Sequence, residues 1–163
     1  MSARVLDGRA VARAIRAEVS AAATAFRAAG GPRPHLAIVQ VGDDPAASAY
    51  VRTLVRACGE VDFRCTVVAL PVETAAESTL AAIRRLDADP EVHGILIQAP
   101  LPPPLTLAQA AEAMSPAKDV DGAHPLNQGW LAQGRRPWRP ARPRAASSCS
   151  AATPSRSLAS VPW

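Results

Sequence analysis

Three short β-branched runs, "LAIVQVG" (residues 36–42), "CTVVALP" (65–71) and "VHGILIQAP" (92–100), are spaced by stretches of helical period. No other feature constrains the fold as strongly. Each run is about the length of one strand, and the first, ending in Gly, has the pattern of a buried strand. Between the first two lies "DDPAASAYVRTLVRACGEV". Asp43 or Asp44 can cap this helix, and Pro45 suits its first turn. Between the second and third lies "ETAAESTLAAIRRLDAD", whose Leu80, Ile83 and Leu86 are predicted to face inward. Upstream, Leu6, Val11, Ile15, Val19, Ala22 and Phe26 mark an amphipathic helix closed by Gly30 and Gly31. Downstream, "TLAQAAEAMS" predicts a short helix capped by Thr106 and ending before Pro116.

An order of helix followed by β-α-β-α-β-α predicts an α/β fold, a three-layer α-β-α domain with a mostly parallel sheet. Ligands of such sheets gather at the carboxyl ends of the strands. The loops to watch are therefore "GDDP", "PVET" and "QAPLPPPL".

Charge divides the chain in two. Residues 1–134 carry 12 basic and 14 acidic side chains, whereas residues 135–163 carry six arginines and no acid. The basic pI of about 9.6 thus belongs to the tail. A slightly acidic globular part argues against nucleic-acid binding. Two domains follow: 1–134 as the folded unit, and 135–163, rich in proline and without periodicity, as a disordered tail. Binding of nucleic acid by the arginines of the tail is a minor alternative.

No run is long enough to span a membrane and no signal-peptide core is present, so a cytoplasmic location is expected. Cys58, Cys65 and Cys149 show no metal-ligand spacing and no disulfide framework. Neither a P-loop nor GxGxxG occurs, and His35, His93 and His124 are scattered. Each histidine is more readily structural than a catalytic base, and no metal site is expected.

Two polar spots stand out. Gln98 ends an otherwise apolar strand, where an amide needs partners, either locally in a turn or in a binding site. "KDVDGAHP" (118–125) gathers the only lysine with Asp119 and Asp121, and either carboxylate could simply brace the turn. A third question concerns Tyr50 and Leu54, which share a helix face one turn apart.

Taken together, "VGDDPAASAYVRTLVRACGEV", "VHGILIQAPLPPPL" and "SPAKDVDGAHPLNQGWLAQG", with the opening "LDGRAVA", resemble the N-terminal half of bifunctional methylenetetrahydrofolate dehydrogenase/methenyltetrahydrofolate cyclohydrolases. The similarity covers about Leu6 to Gly134. It implies a folate cleft shared with a C-terminal NAD(P)-binding Rossmann domain, which is expected to be absent here. It implies oxidation of 5,10-methylenetetrahydrofolate with NADP or NAD, then hydrolysis of the methenyl product. By resemblance, Tyr50 stacks on the folate, Gln98 holds a catalytic lysine, and Asp121 binds the pterin. The implied partners are tetrahydrofolate derivatives. The family is homodimeric, but ordered dimerisation is not expected of a shortened chain. Apolar surface left exposed predicts poor solubility or loose association instead.

The chain departs from the family pattern twice. The lysine of "YVxxKxKA" falls at Leu54, which can neither give nor take a proton. Arg56 lies about 200° round the helix and stays protonated near neutral pH. Little or no cyclohydrolase activity is therefore expected. The second departure is the tail, where the family continues with "PCTPxG". Codons chosen for "WRPARPRA" can spell "APCTPAG" in a shifted frame, so the tail is expected to be an out-of-frame reading of the lost linker; the nucleotide sequence decides this. Three readings remain: a defective enzyme, a non-catalytic folate- or protein-binding fragment, and a non-functional truncated product.

Overall fold

A computed structural model describes residues 7–135. Its elements run α1 (Gly8–Ala28), β1 (His35–Val41), α2 (Pro45–Glu60), β2 (Arg64–Leu70), α3 (Ala76–Ala88), β3 (Gly94–Gln98), α4 (Leu107–Ala111) and α5 (Pro125–Ala132). The three strands form one parallel sheet in the order β2-β1-β3. Both expected crossover helices are present, and so is the α/β class. The reading of the tail as disordered and frame-shifted falls on residues outside those described, apart from Arg135, and so does Leu6.

Strand alternation sends two sets of side chains to opposite faces. Ala37 and Val39 of β1 and Ile95 and Ile97 of β3 pack with Ile83, Val92, Leu105, Ala110, Ala111 and Met114. This is the α3/α4 side, and Leu80 and Leu86 pack against it as the period predicts. Ile38 and Leu96 face the other way and meet Val51 of α2. Leu36, Leu54, Cys65 and Val120 pack around that second cluster.

Helix ends follow their sequence signals. The Ala47 amide donates to Asp44 Oδ1 at 2.8 Å, so Asp44 rather than Asp43 caps α2. Thr106 and Gln109 form a reciprocal capping box on α4. α4 is one short turn, because Glu112 and Met114 continue as turns rather than helix. α5 has no strong apolar period, and its signal is local: Pro125 at its start and His124 Nδ1 accepting from the Leu126 amide at 3.0 Å. α1 is amphipathic in sequence, yet of its residues only Ala23 is buried, and Phe26 is 52% exposed. Its C-terminal end is tied down by an Arg27–Asp62 ion pair, and Arg33 pairs with the same carboxylate at 3.0 Å.

The sheet extends past β3 through an irregular segment. The Ile95 amide donates to the Lys118 carbonyl at 2.7 Å, and the Val120 amide donates back to the Ile95 carbonyl at 3.3 Å. This docking requires a glycine at 94: a Cβ there would stand 2.5 Å from Val120 Cγ1, on a stiff β-branched side chain. At Gly59 near the end of α2, by contrast, an added Cβ meets nothing within 4 Å. Gly94→Ala is expected to destabilise the fold by about 1–3 kcal/mol in urea titration. Gly59→Ala should stabilise it by about 0.5–1 kcal/mol.

Candidate functional site

The strand order places the topological switch between β1 and β3, since the first crossover runs outward from β1 to β2 and the second returns past β1 to β3. At that point two glutamines stand side by side. Gln40 of β1 is in register with Gln98 of β3, on the face that carries Ile38 and Leu96. Gln40 is buried, and its amide donates to Ser48 Oγ at 2.8 Å and to the Gly42 carbonyl at 3.1 Å. It thereby pins the start of α2 to the end of β1. The Gln98 amide donates to the carbonyl of Ala99 at 2.6 Å.

Sequence reading passed over Gln40. A signal was available, because "LAIVQ" and "GILIQ" both end an apolar run in glutamine.

Gln98 and Tyr50 line one cleft of about 530 Å³ with Asp44, Ala46, Ala47, Ala99 and Pro100. The Tyr50 ring is 43% exposed, so it lines the wall rather than filling the core. Leu54 behaves differently. Ala47, Val51, Leu54 and Cys58 follow one another at spacings of four, three and four, which is the inward stripe of α2. Leu54 packs against the Ile38–Val51–Leu96 cluster, to which Val120 also belongs. At this position the side chain is packing, and it contributes about 1–2 kcal/mol by burial.

The two carboxylates of "KDVDG" have separate roles. Asp119 is fully buried. Its Oδ1 accepts the amides of Asp121, Gly122 and Ala123 at 3.2, 2.8 and 3.2 Å. Its Oδ2 accepts the His124 amide at 2.9 Å and Asn127 Nδ2 at 2.8 Å. Asp119 is thus the brace of the turn. Gly122 completes that turn with φ of +74°, a region costly for other residues. Asp121 is half-buried and does not line the cleft that Tyr50 and Gln98 share.

Lys118 does not enter the site. Its Nζ donates to the carbonyls of Asp87 and Asp89 at 2.5 and 2.8 Å and approaches that of Leu86 at 3.5 Å, closing the end of α3. The histidines are structural as well. His35 is buried, with ring nitrogens bonded to the Glu91 carbonyl and Thr66 Oγ1, both at 2.9 Å. His93 Nδ1 accepts the His35 amide at 3.1 Å. Among the described residues no group of His, Cys, Asp or Glu could hold a metal ion, and no helix is long and apolar enough to cross a membrane.

A dinucleotide does not fit the first βα turn of this domain. A pyrophosphate needs free amides at a glycine-rich helix start. Here the turn is Gly42-Asp43-Asp44-Pro45, Pro45 has no N–H, and the Asp44 carboxylate already occupies the helix start. Two negative charges would repel phosphate further.

Crossover topology and a cleft at the switch point, walled by Tyr50 with Asp44 and Gln98 beside it, define an α/β domain with a candidate ligand site at its strand ends. The chain belongs to the tetrahydrofolate dehydrogenase/cyclohydrolase family, whose catalytic-domain model matches residues 6–121. It is 48% identical over 135 residues to the bifunctional protein FolD of Chloroflexus aurantiacus, covering 83% of this chain and 47% of that protein. Its fold matches the 5,10-methylenetetrahydrofolate dehydrogenase of the silkworm Bombyx mori with TM-score 0.89 and 32% identity, over 93% of this chain and 52% of that one. A FolD from Trypanosoma brucei, solved with NADP and an inhibitor, matches with TM-score 0.75 and 34% identity, over 80% of this chain and 45% of that one. The chain therefore spans about half the length of the relatives it matches.

Two thiols meet behind the site. Burial pushes Cys58 up to about 12 from the usual 9.0, and the neighbouring Cys65 adds to the shift. Burial also raises Cys65, against the pull of its hydrogen bond with Cys58. A folded-state value above the unfolded one contributes stability that is complete below pH 9 and is lost as pH rises toward 12. Thermal midpoints are expected to fall over that window, and Cys58→Ala should flatten the slope. Replacing a carboxylate oxygen of the hub is expected to cost more: Asp119→Asn turns an amide N–H toward existing donors and should destabilise by about 2–4 kcal/mol in denaturant titration.

Proposed function

We propose that this chain is the folate-facing half of a family member, able to bind tetrahydrofolate derivatives and unable to turn them over. Tyr50 would stack on the ring of the ligand, Asp121 would accept paired pterin N–H donors, and Gln98 would bound the reacting end. The observation carrying this reading is the pairing of Tyr50 and Gln98 on one cleft at the sheet's switch point, with Leu54 where the family motif has its lysine.

Cyclohydrolase chemistry needs a group that moves a proton at the methenyl bridge. Leu54 has none, Lys118 is committed to α3, and Arg56 lines a different cleft on α2 with Val55 and Val67. Loss of a positioned acid/base group lowers the rate by about 10²–10⁴. Hydride transfer would fall to NADP or NAD bound by a cofactor domain such as the resemblance implies, because the β1–α2 turn opposes phosphate. The free thiols of Cys58 and Cys65 agree with a reducing, cytoplasmic setting. Loose association in place of the family's ordered homodimer is a further proposal that sedimentation would decide.

Calorimetric titration with tetrahydrofolate should give a saturable isotherm, weakened about tenfold by Tyr50→Ala. Methenyltetrahydrofolate hydrolysis should stay within about tenfold of the buffer rate. Absence of saturable binding contradicts the folate reading, and hydrolysis at the rate of an intact relative contradicts the loss of catalysis.

A further inference from the structure

We infer that the open edge of β2 is the surface through which copies of this chain associate, β2 of one copy pairing antiparallel with β2 of a second about a two-fold axis at Val67. The inference gives a surface to the loose association proposed above and is independent of folate binding.

β2 is the outer strand of the sheet, with β1 on one side and no strand on the other among the described residues. Its bonds to β1 fix which backbone groups face outward. The Arg64 amide donates to the Pro34 carbonyl at 2.8 Å, and the Leu70 carbonyl accepts the Gly42 amide at 2.8 Å. Bonded residues alternate along a parallel strand, so Arg64, Thr66, Val68 and Leu70 are the ones tied to β1. The N–H and C=O groups of Cys65, Val67 and Ala69 therefore point to the open edge. No residue of β2 is buried, whereas all but one in each of β1 and β3 are. Edges of this kind recruit another strand unless a charge, a proline or a bulge blocks them. Cys65–Leu70 contains none of these, and Pro71 comes only after it.

The occupant is a second copy because the edge is complementary to itself. With Val67 opposite Val67 of the partner subunit, Cys65 meets Ala69 of the partner subunit, and Ala69 meets Cys65 of the partner subunit. All are outward residues, and opposed residues in an antiparallel pair can exchange both N–H···O bonds. Every outward group of the strand then finds a partner. Charge favours the same sense. Each Arg64 lies opposite Leu70 of the partner subunit, at opposite ends of the pair, whereas a parallel pair would set the two arginines side by side. Val67 is 37% exposed and Val55 is 39% exposed, and both line the cleft between α2 and β2, so pairing covers apolar surface there. Two features keep the contact weak. Arg52 and Arg56 line that same cleft, so pairing brings like charges together. One strand edge also covers far less than the roughly 1,200 Å² of a stable interface.

The test is sedimentation of the full chain under reducing conditions, with amide hydrogen exchange at two concentrations. Reversible association is expected above about 100 µM. The amides of Cys65, Val67 and Ala69 should exchange freely in dilute protein and slow severalfold in concentrated protein. Those of Thr66 and Val68 should stay protected in both. Ala69→Pro removes an outward N–H and leaves the bonds to β1 intact, and Val67→Lys sets two like charges across the axis. Each should weaken association by about tenfold or more, with a cooperative thermal transition confirming a folded chain. Val72→Lys, at a 53% exposed valine beyond Pro71, should leave association unchanged. Association unmoved by Ala69→Pro and Val67→Lys, or weakened equally by Val72→Lys, overturns the β2 edge and leaves loose association standing. Slow exchange of the outward amides in dilute protein means that another segment of the chain covers the edge, and overturns the inference as well. A chain that stays monomeric at every concentration overturns the surface and the association together. None of these outcomes bears on folate binding.

Discussion

The pairing of β1 on both edges holds the domain together. One strand accepts β2 on one side and β3 on the other, all parallel, so the first crossover runs outward from β1 and the second returns past it to the far side. That reversal of direction places the crevice at its carboxyl end. The candidate site is referred to β1: Gln40 anchors the start of α2, Gln98 lies in register beside it, and Tyr50 of α2 shares a cleft with Gln98. The segment bearing Asp121 is attached one strand further out, on the free edge of β3.

Within this frame Leu54 has an unambiguous physical role. It sits on the buried stripe of α2, packed with Ile38, Leu96 and Val120. A lysine there would stand among apolar neighbours with Gln98 at the nearby strand end, an environment that perturbs an ammonium. Leucine turns a chemically tense position into a relaxed one. On the reading proposed above, leucine at this position supplies packing where the family motif has a proton carrier. Lys118 shows the converse: a lysine retained for structure, because three carbonyls at the end of α3 need a donor.

Much of this was legible in the sequence. The strands announced themselves because Ala37–Val39 and Ile95–Ile97 are buried and must be apolar without interruption. Asp44 and Thr106 announced helix starts because capping is a local interaction. α5 was missed because eight residues containing Gly129 and Pro125 carry too little period to register. The division of labour between Asp119 and Asp121 was not legible. One residue separates them, and only the closed turn, with five donors converging on Asp119, identifies the brace. The role of Lys118 depends on carbonyls some 30 residues upstream in the chain, beyond any local pattern.

The central claim is that the site remains a folate site after its lysine became leucine. The most direct measurement is an amide chemical-shift map of the full chain with and without tetrahydrofolate. The account predicts shifts concentrated in residues 43–54, 97–100 and 119–122, the three segments that carry the residues of the proposed site. Shifts confined elsewhere, or none at saturating ligand, would contradict it.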